Sequence, residues 1–227
     1  MPIFVIPLVG TFIVAGLIVW VVGAPIAGVM TSLTAWLTTM STGNQILFAI
    51  VLGCMIAFDM GGPVNKVAYF FAVGLIGAGV YTIMGPVGAA ICTPPLGMAA
   101  ATFLAPKKYT SAERQNGIGS FFMGLIGITE GAIPYAAADP LRVIPSIMTG
   151  SAAAAVTAML LGVGNQAPWG GLIVLPVIIN PIAYVIAILV GVAVTAFMVN
   201  ALKKEVDETI IAAASGGESD EMDINLG

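Results

Sequence analysis

Apolar residues run along this chain in long blocks separated by short polar or Gly/Pro-rich breaks, and the spacing of those breaks predicts the elements. A block of about 20 apolar residues is long enough to cross about 30 Å of hydrocarbon. On that measure spanning helices are predicted at residues 3–23, 44–60, 66–85, 87–105, 143–163 and 181–202. Residues 26–40 carry a different pattern. Ile26, Val29, Met30, Leu33, Trp36, Leu37 and Met40 recur at helical spacing, with Thr31, Ser32, Thr34, Thr38 and Thr39 between them. That predicts an uncharged amphipathic helix at the membrane interface or against the bundle.

Two segments interrupt the blocks. The apolar run from Gly117 to Ile128 is too short to cross and is cut by Thr129-Glu130-Gly131, then by Pro134, Asp139 and Pro140. Residues 117–142 therefore read as a re-entrant hairpin whose irregular backbone lines a cavity. Residues 164–181, with Asn165, Gln166, Pro168, Gly170, Gly171, Pro176 and Asn180, are a candidate for a second. The expected fold class is an all-α integral membrane protein: a multi-helix bundle with one or two re-entrant hairpins and an amphipathic interfacial helix. Residues 1–202 form the expected membrane domain, and 203–227 a cytoplasmic helix extension and acidic flexible tail. The first block follows Met1 and Pro2 with no Lys or Arg before it, which favours a retained helix over a cleaved signal.

Composition strengthens the membrane assignment and localises the charge. The chain has 227 residues, 59% of them hydrophobic and 8% charged, and a mean hydropathy of +1.06. Soluble domains carry about 25% charged residues. Half of the charges lie between Lys203 and Asp223, and that tail accounts for the acidic balance. If the hairpin enters and leaves on one face, Lys107, Lys108, Arg114, Arg142, Lys203 and Lys204 share it, and by the positive-inside rule that face and the C-terminus are cytoplasmic. The chain contains no His. Imidazole bases, His metal ligands and phosphohistidine relays are excluded, and no cofactor, metal or nucleic acid is expected. Cys54 and Cys92 stand singly in apolar surroundings and read as small hydrophobes.

Ionised side chains within apolar blocks point to tasks or partners. Asp59 and Lys66 flank a Gly61-Gly62-Pro63 break followed by Asn65. Two readings stand open there: a broken-helix site facing a polar cavity, or a short interfacial turn. Glu130 lies between Gly127 and Gly131 ahead of Pro134, where the backbone can approach a ligand closely. A carboxylate is acceptor-only, so it suits adjacent hydroxyls of a sugar, and it also suits a proton or a cation. Asp139 and Arg142, at i and i+3, are expected to pair at the hairpin mouth.

The stretches Asp59-Met-Gly-Gly-Pro-Val-Asn-Lys-Val-Ala-Tyr69, Pro94-Pro-Leu-Gly97, Gly127-Ile-Thr-Glu-Gly-Ala-Ile-Pro-Tyr135 and Asp139-Pro-Leu-Arg-Val-Ile-Pro145 resemble the fructose-specific IIC component of the bacterial phosphoenolpyruvate-dependent sugar phosphotransferase system. The resemblance implies an inner-membrane permease domain, usually a homodimer, that presents sugar to a cytoplasmic IIB domain charged by IIA. It implies that Glu130 contacts sugar hydroxyls, that Thr129 and Gly131 shape the hairpin tip, and that Asn65, Asp59 and Lys66 belong to the substrate cavity. Members of that family have further helices before the matched region, so the chain is expected to be N-terminally shorter. Neither Cys lies in a loop like a IIB site, so phosphoryl transfer is expected to need partners. The leading expectation is a permease component for fructose or a related sugar. The rivals are an ion-coupled transporter with Glu130 as proton site and a truncated product without transport of its own.

Overall fold

The breaks decide where the helices end. The computed structural model describes residues 2–17, positions 28, 31, 32 and 35, and residues 44–206. The amphipathic pattern at 26–40 and the tail beyond 206 fall almost wholly outside the described residues. Helix α1 covers Pro2–Leu17.

Asn44 caps α2 (Gln45–Phe58), its side-chain oxygen accepting from the Ile46 and Leu47 amides. The chain then turns through residues 59–62, and α3 (Pro63–Gly77) opens with proline at its first position, where the missing N–H leaves nothing unpaired. Phe48 meets Phe71 edge to face at 6.0 Å, and Phe48, Leu52, Ile56, Val67 and Ala68 share one core. The two helices therefore double back as a hairpin. At 14 residues and 15 residues, each arm reaches about 21–23 Å at 1.5 Å per residue, short of the hydrocarbon thickness. The spans predicted at 44–60 and 66–85 are corrected accordingly. Hydropathy counts apolar residues, and it does not register that Gly61-Gly62-Pro63 and Gly79 cut both helices short.

Among the described residues three helices are long and apolar enough to cross a membrane: α4 (Met84–Leu104), α7 (Pro140–Leu160) and α8 (Pro181–Leu202). Between α4 and α7 lies the predicted hairpin. Its first arm, α5 (Ser111–Ile126), starts at a capping box made by Thr110 and Glu113, ahead of the apolar run at Gly117, because the cap and not hydrophobicity sets the start. Gly127, at φ 82°, ends it. A 3-10 turn over Thr129–Ala132 leads into the short return helix α6 (Ile133–Ala138). The second interrupted segment is an irregular loop. Gly164 pairs with Ile179 and Asn165 with Ile178 in a two-residue antiparallel ladder, enclosing a 3-10 stretch at Leu172–Val177.

Contacts between element ends set the polarity of the two hairpins. The Asn165 amide donates to the Tyr81 carbonyl at 3.0 Å and Asn180 Nδ2 to the Gly162 carbonyl at 3.1 Å, which gathers the end of α3 with the start of α4, the end of α7 and the start of α8. At the opposite end, the Val206 amide donates to the Lys107 carbonyl at 3.0 Å and the Tyr135 hydroxyl to the Glu113 carbonyl at 3.1 Å. The α2–α3 hairpin thus enters from the first end and the α5–α6 hairpin from the second. Around them α4, α7 and α8 pack through small residues. A Cβ at Gly97 would lie 2.5 Å from Thr195 Cβ, and one at Gly150 would lie 2.6 Å from the Gly191 carbonyl oxygen, so the backbones approach more closely than larger side chains allow.

Candidate functional site

The break between α2 and α3 satisfies its own freed backbone groups. Asp59 accepts from the Val64 amide at 2.7 Å and the Asn65 amide at 2.9 Å, capping the first turn of α3, where a carboxylate also suits the helix dipole. Asn65 Nδ2 donates to the Ile56 carbonyl at 2.6 Å, capping the last turn of α2. Met60 takes a left-handed φ of 45° and Gly61 a φ of 112°, and Met60 is buried in the core beneath. A Cβ at Gly61 would run into the Glu130 carboxylate, so the absent side chain is what lets the two hairpin tips meet.

On the other side, Pro94 and Pro95 interrupt α4 and leave the carbonyls four residues earlier, Ala90 and Ile91, without helical donors. Ser151 Oγ donates to the Ala90 carbonyl at 3.2 Å. Thr129 Oγ1 donates to the Ile91 carbonyl at 3.4 Å, and so the Pro-Pro pair gives the hairpin tip a docking point. Replacing Thr129 with Val leaves that buried carbonyl unpaired. The expected loss is about 1–3 kcal/mol of stability, read as a lowered Tm in detergent, with Thr129→Ser retaining most of it.

Thr129 bonds at Ile91 and a Cβ at Gly131 would lie 3.0 Å from Pro95 Cβ, and these two α4 residues bracket the midpoint of the 21-residue helix. Glu130 between them is therefore near half depth. Its Oε1 lies 4.0 Å from Lys66 Nζ, with the two side chains 43% and 44% exposed. Both open into a cavity of about 300 Å³ lined by Asn65, Lys66, Tyr69, Phe70, Ile91, Gly127, Ile128, Thr129, Glu130, Trp169 and Gly170. That volume is at the lower end of small-molecule sites. Two aromatic walls are fixed by their polar ends: Trp169 Nε1 donates to the Ile126 carbonyl at 2.7 Å and the Tyr69 hydroxyl to the Pro168 carbonyl at 2.5 Å. Gly127 and Gly171 let the hairpin and the loop touch backbone to backbone, since a Cβ at Gly171 would lie 2.7 Å from the Gly127 nitrogen.

The sequence-predicted residues therefore divide. Glu130, Lys66, Asn65 and Thr129 share one cavity. Asp59 spends its carboxylate on the α3 cap, and Gly131 gives its carbonyl to Ser120 Oγ at 2.7 Å; neither lines the cavity. Asp139 and Arg142 pair at 2.9 Å as expected from their spacing. Sequence reasoning missed Trp169, Tyr69 and Phe70 as cavity walls. The available signal for Trp169 was a lone indole between Pro168 and Gly170-Gly171, a place where backbone approaches closely. Cys92 also does more than fill space, accepting from the Gly171 amide at 3.1 Å.

The arrangement offers an acceptor, a donor and aromatic faces in one half-deep cavity, which suits an uncharged polyhydroxyl molecule. Over 226 residues the chain is 50% identical to the fructose-like permease IIC component 2 of Escherichia coli strain K12, covering 100% of this chain and 61% of that protein. The chain is a homologue of fructose-type IIC permeases. It is 44% identical over 216 residues to the PTS system fructose-specific EIIC component of Haloferax volcanii, covering 95% of this chain and 58% of that protein. It is also 45% identical over 215 residues to the fructose-specific EIIB'BC component of Vibrio cholerae, covering 93% of this chain and 37% of that protein. The IIC homologue thus spans less than two thirds of the length of the curated relatives it matches. No family model and no solved structure matches the chain. The all-helical body accords with the permease name of the first relative.

Proposed function

We propose that the chain is a membrane permease component that binds fructose or a related sugar between the two hairpin tips and hands it to a cytoplasmic phosphorylating partner. The observation that carries the reading is the pairing of Glu130 with Lys66 at 4.0 Å across a cavity with aromatic walls. The carboxylate accepts from a pair of hydroxyls, with Thr129 and Gly131 shaping the tip. Lys66 donates to a ring or hydroxyl oxygen, Asn65 and Asp59 hold the opposing tip in shape, and Tyr69 and Trp169 take the apolar face of the sugar. Relatives named EIIB'BC and EIIABC support IIB and IIA as partners. The basic end formed by Lys107, Lys108, Arg114 and Lys203 is then the cytoplasmic docking face, at the C-terminal side of a membrane domain covering 1–202. In a bacterial host the chain sits in the inner membrane as a homodimer. An ion-coupled mechanism is less favoured, because Glu130 already has a cation beside it.

Labelled fructose should bind the purified chain saturably, and its accumulation in membrane vesicles, as distinct from exchange, should require phosphoenolpyruvate and the IIA and IIB proteins. Uptake that persists without phosphoenolpyruvate and collapses with a proton ionophore would defeat the assignment.

A further inference from the structure

The far end of the α5–α6 hairpin carries a buried charge cluster that sugar binding does not use. Lys203 Nζ lies 2.6 Å from Glu113 Oε1, with the side chains only 7% and 9% exposed. The other carboxylate oxygen, Oε2, accepts from the Thr110 amide at 2.9 Å. Lys203 also lies over the Tyr109 ring, 4.4 Å from its centroid, and the Tyr109 hydroxyl donates to Asn200 Oδ1 at 2.8 Å. Burial pushes that hydroxyl above its ordinary range, and the Glu113 carboxylate adds to the shift, so Tyr109 stays a donor. Asn200 Nδ2 in turn donates to the Ala101 carbonyl at 3.1 Å. The cluster therefore ties the base of the hairpin to the ends of α4 and α8.

We propose that the Glu113–Lys203 pair is a latch: a sugar held at Glu130 leaves toward this end only when the hairpin base separates from α8. The inference rests on the permease reading of the cavity. Met60, Met98, Ala132, Tyr135 and Ala136 pack together between the cavity and this end, so the route is closed in this conformation and opening it requires the hairpin to move. A buried ion pair contributes little more to a static fold than an apolar pair of the same volume. It differs when the seam opens, because water resolvates the separated charges, whereas newly exposed apolar side chains would oppose opening. A charged seam suits a contact that has to break and re-form.

The test uses the full chain in liposomes, reading equilibrium binding of labelled fructose and fructose counterflow. In Glu113→Cys/Lys203→Cys, a bis-maleimide should stop counterflow and leave binding intact. Single-cysteine variants control for Cys54 and Cys92. Counterflow that continues at the rate before cross-linking overturns the latch, with the permease reading untouched. Absence of fructose binding by the native chain removes both. Should the cysteine pair fail to reach the membrane, Glu113→Gln/Lys203→Met is read instead. Slowed counterflow at unchanged affinity supports the latch, and unchanged or faster counterflow, or weakened binding as the mark of a purely structural role, overturns it. The swap Glu113→Lys/Lys203→Glu should return counterflow toward the native rate.

Discussion

Replacing Glu130 with Gln severely weakens sugar binding while the protein still reaches the membrane. The carboxylate offers only acceptors, and two hydroxyls donating to it form charge-assisted bonds of about 1.5–3 kcal/mol each, against about 0.5–1.5 for neutral ones. Glutamine keeps one oxygen and turns the other position into a donor facing a donor. The expected loss is about 2–4 kcal/mol, or roughly 30- to 700-fold in Kd. Stability changes little, because Lys66 and Glu130 are nearly half exposed and such pairs contribute about 0–1 kcal/mol. Titration calorimetry with fructose, beside a thermal melt, separates the two effects. Native affinity in this variant would remove Glu130 from the site.

Gly61→Ala weakens binding almost as far without replacing any group that bonds the sugar. At φ 112° alanine is strained, by about 1–3 kcal/mol, and its methyl takes the space of the Glu130 carboxylate. Either the turn or the carboxylate has to shift, and both form the cavity mouth. Gly74→Ala is the control: a Cβ there meets nothing within 4 Å, and in a helix interior the change should add about 0.5–1 kcal/mol of stability with affinity unchanged. Equal affinity in both variants would mean that the tips do not need their close contact.

Sequence reading reached the chemistry better than the geometry. Glu130 and Lys66 stood out because charges within apolar blocks are rare, and the cavity contains both. Asp59 stood out for the same reason, yet its charge serves the α3 amides, a use that depends on the exact path of the turn. Trp169 lies far from Glu130 in sequence and joins it only because Gly127 and Gly171 allow two loops to touch; no local pattern encodes that. The α2 and α3 arms were overcounted as crossings because hydropathy sums residues along the chain and does not see where a chain doubles back. Pro94 and Pro95 had a readable consequence, two orphaned carbonyls, but the hydroxyls that satisfy them come from Thr129 and Ser151 on other elements.

The two short arms also constrain how the protein is made. A 14-residue helix ending in a Gly-Gly-Pro turn is poorly suited to lipid as an independent unit, since its turn would carry the Asp59 and Lys66 charges among acyl chains. Its partners in the folded state are α7, which supplies the close backbone at Ser151 and Ala152 against Gly53, and the Glu130 turn. Both are translated later. The α2–α3 segment therefore gains its packing partners only once the downstream helices are in place. Its seating between them is expected to follow their insertion rather than the order its position in the chain would suggest.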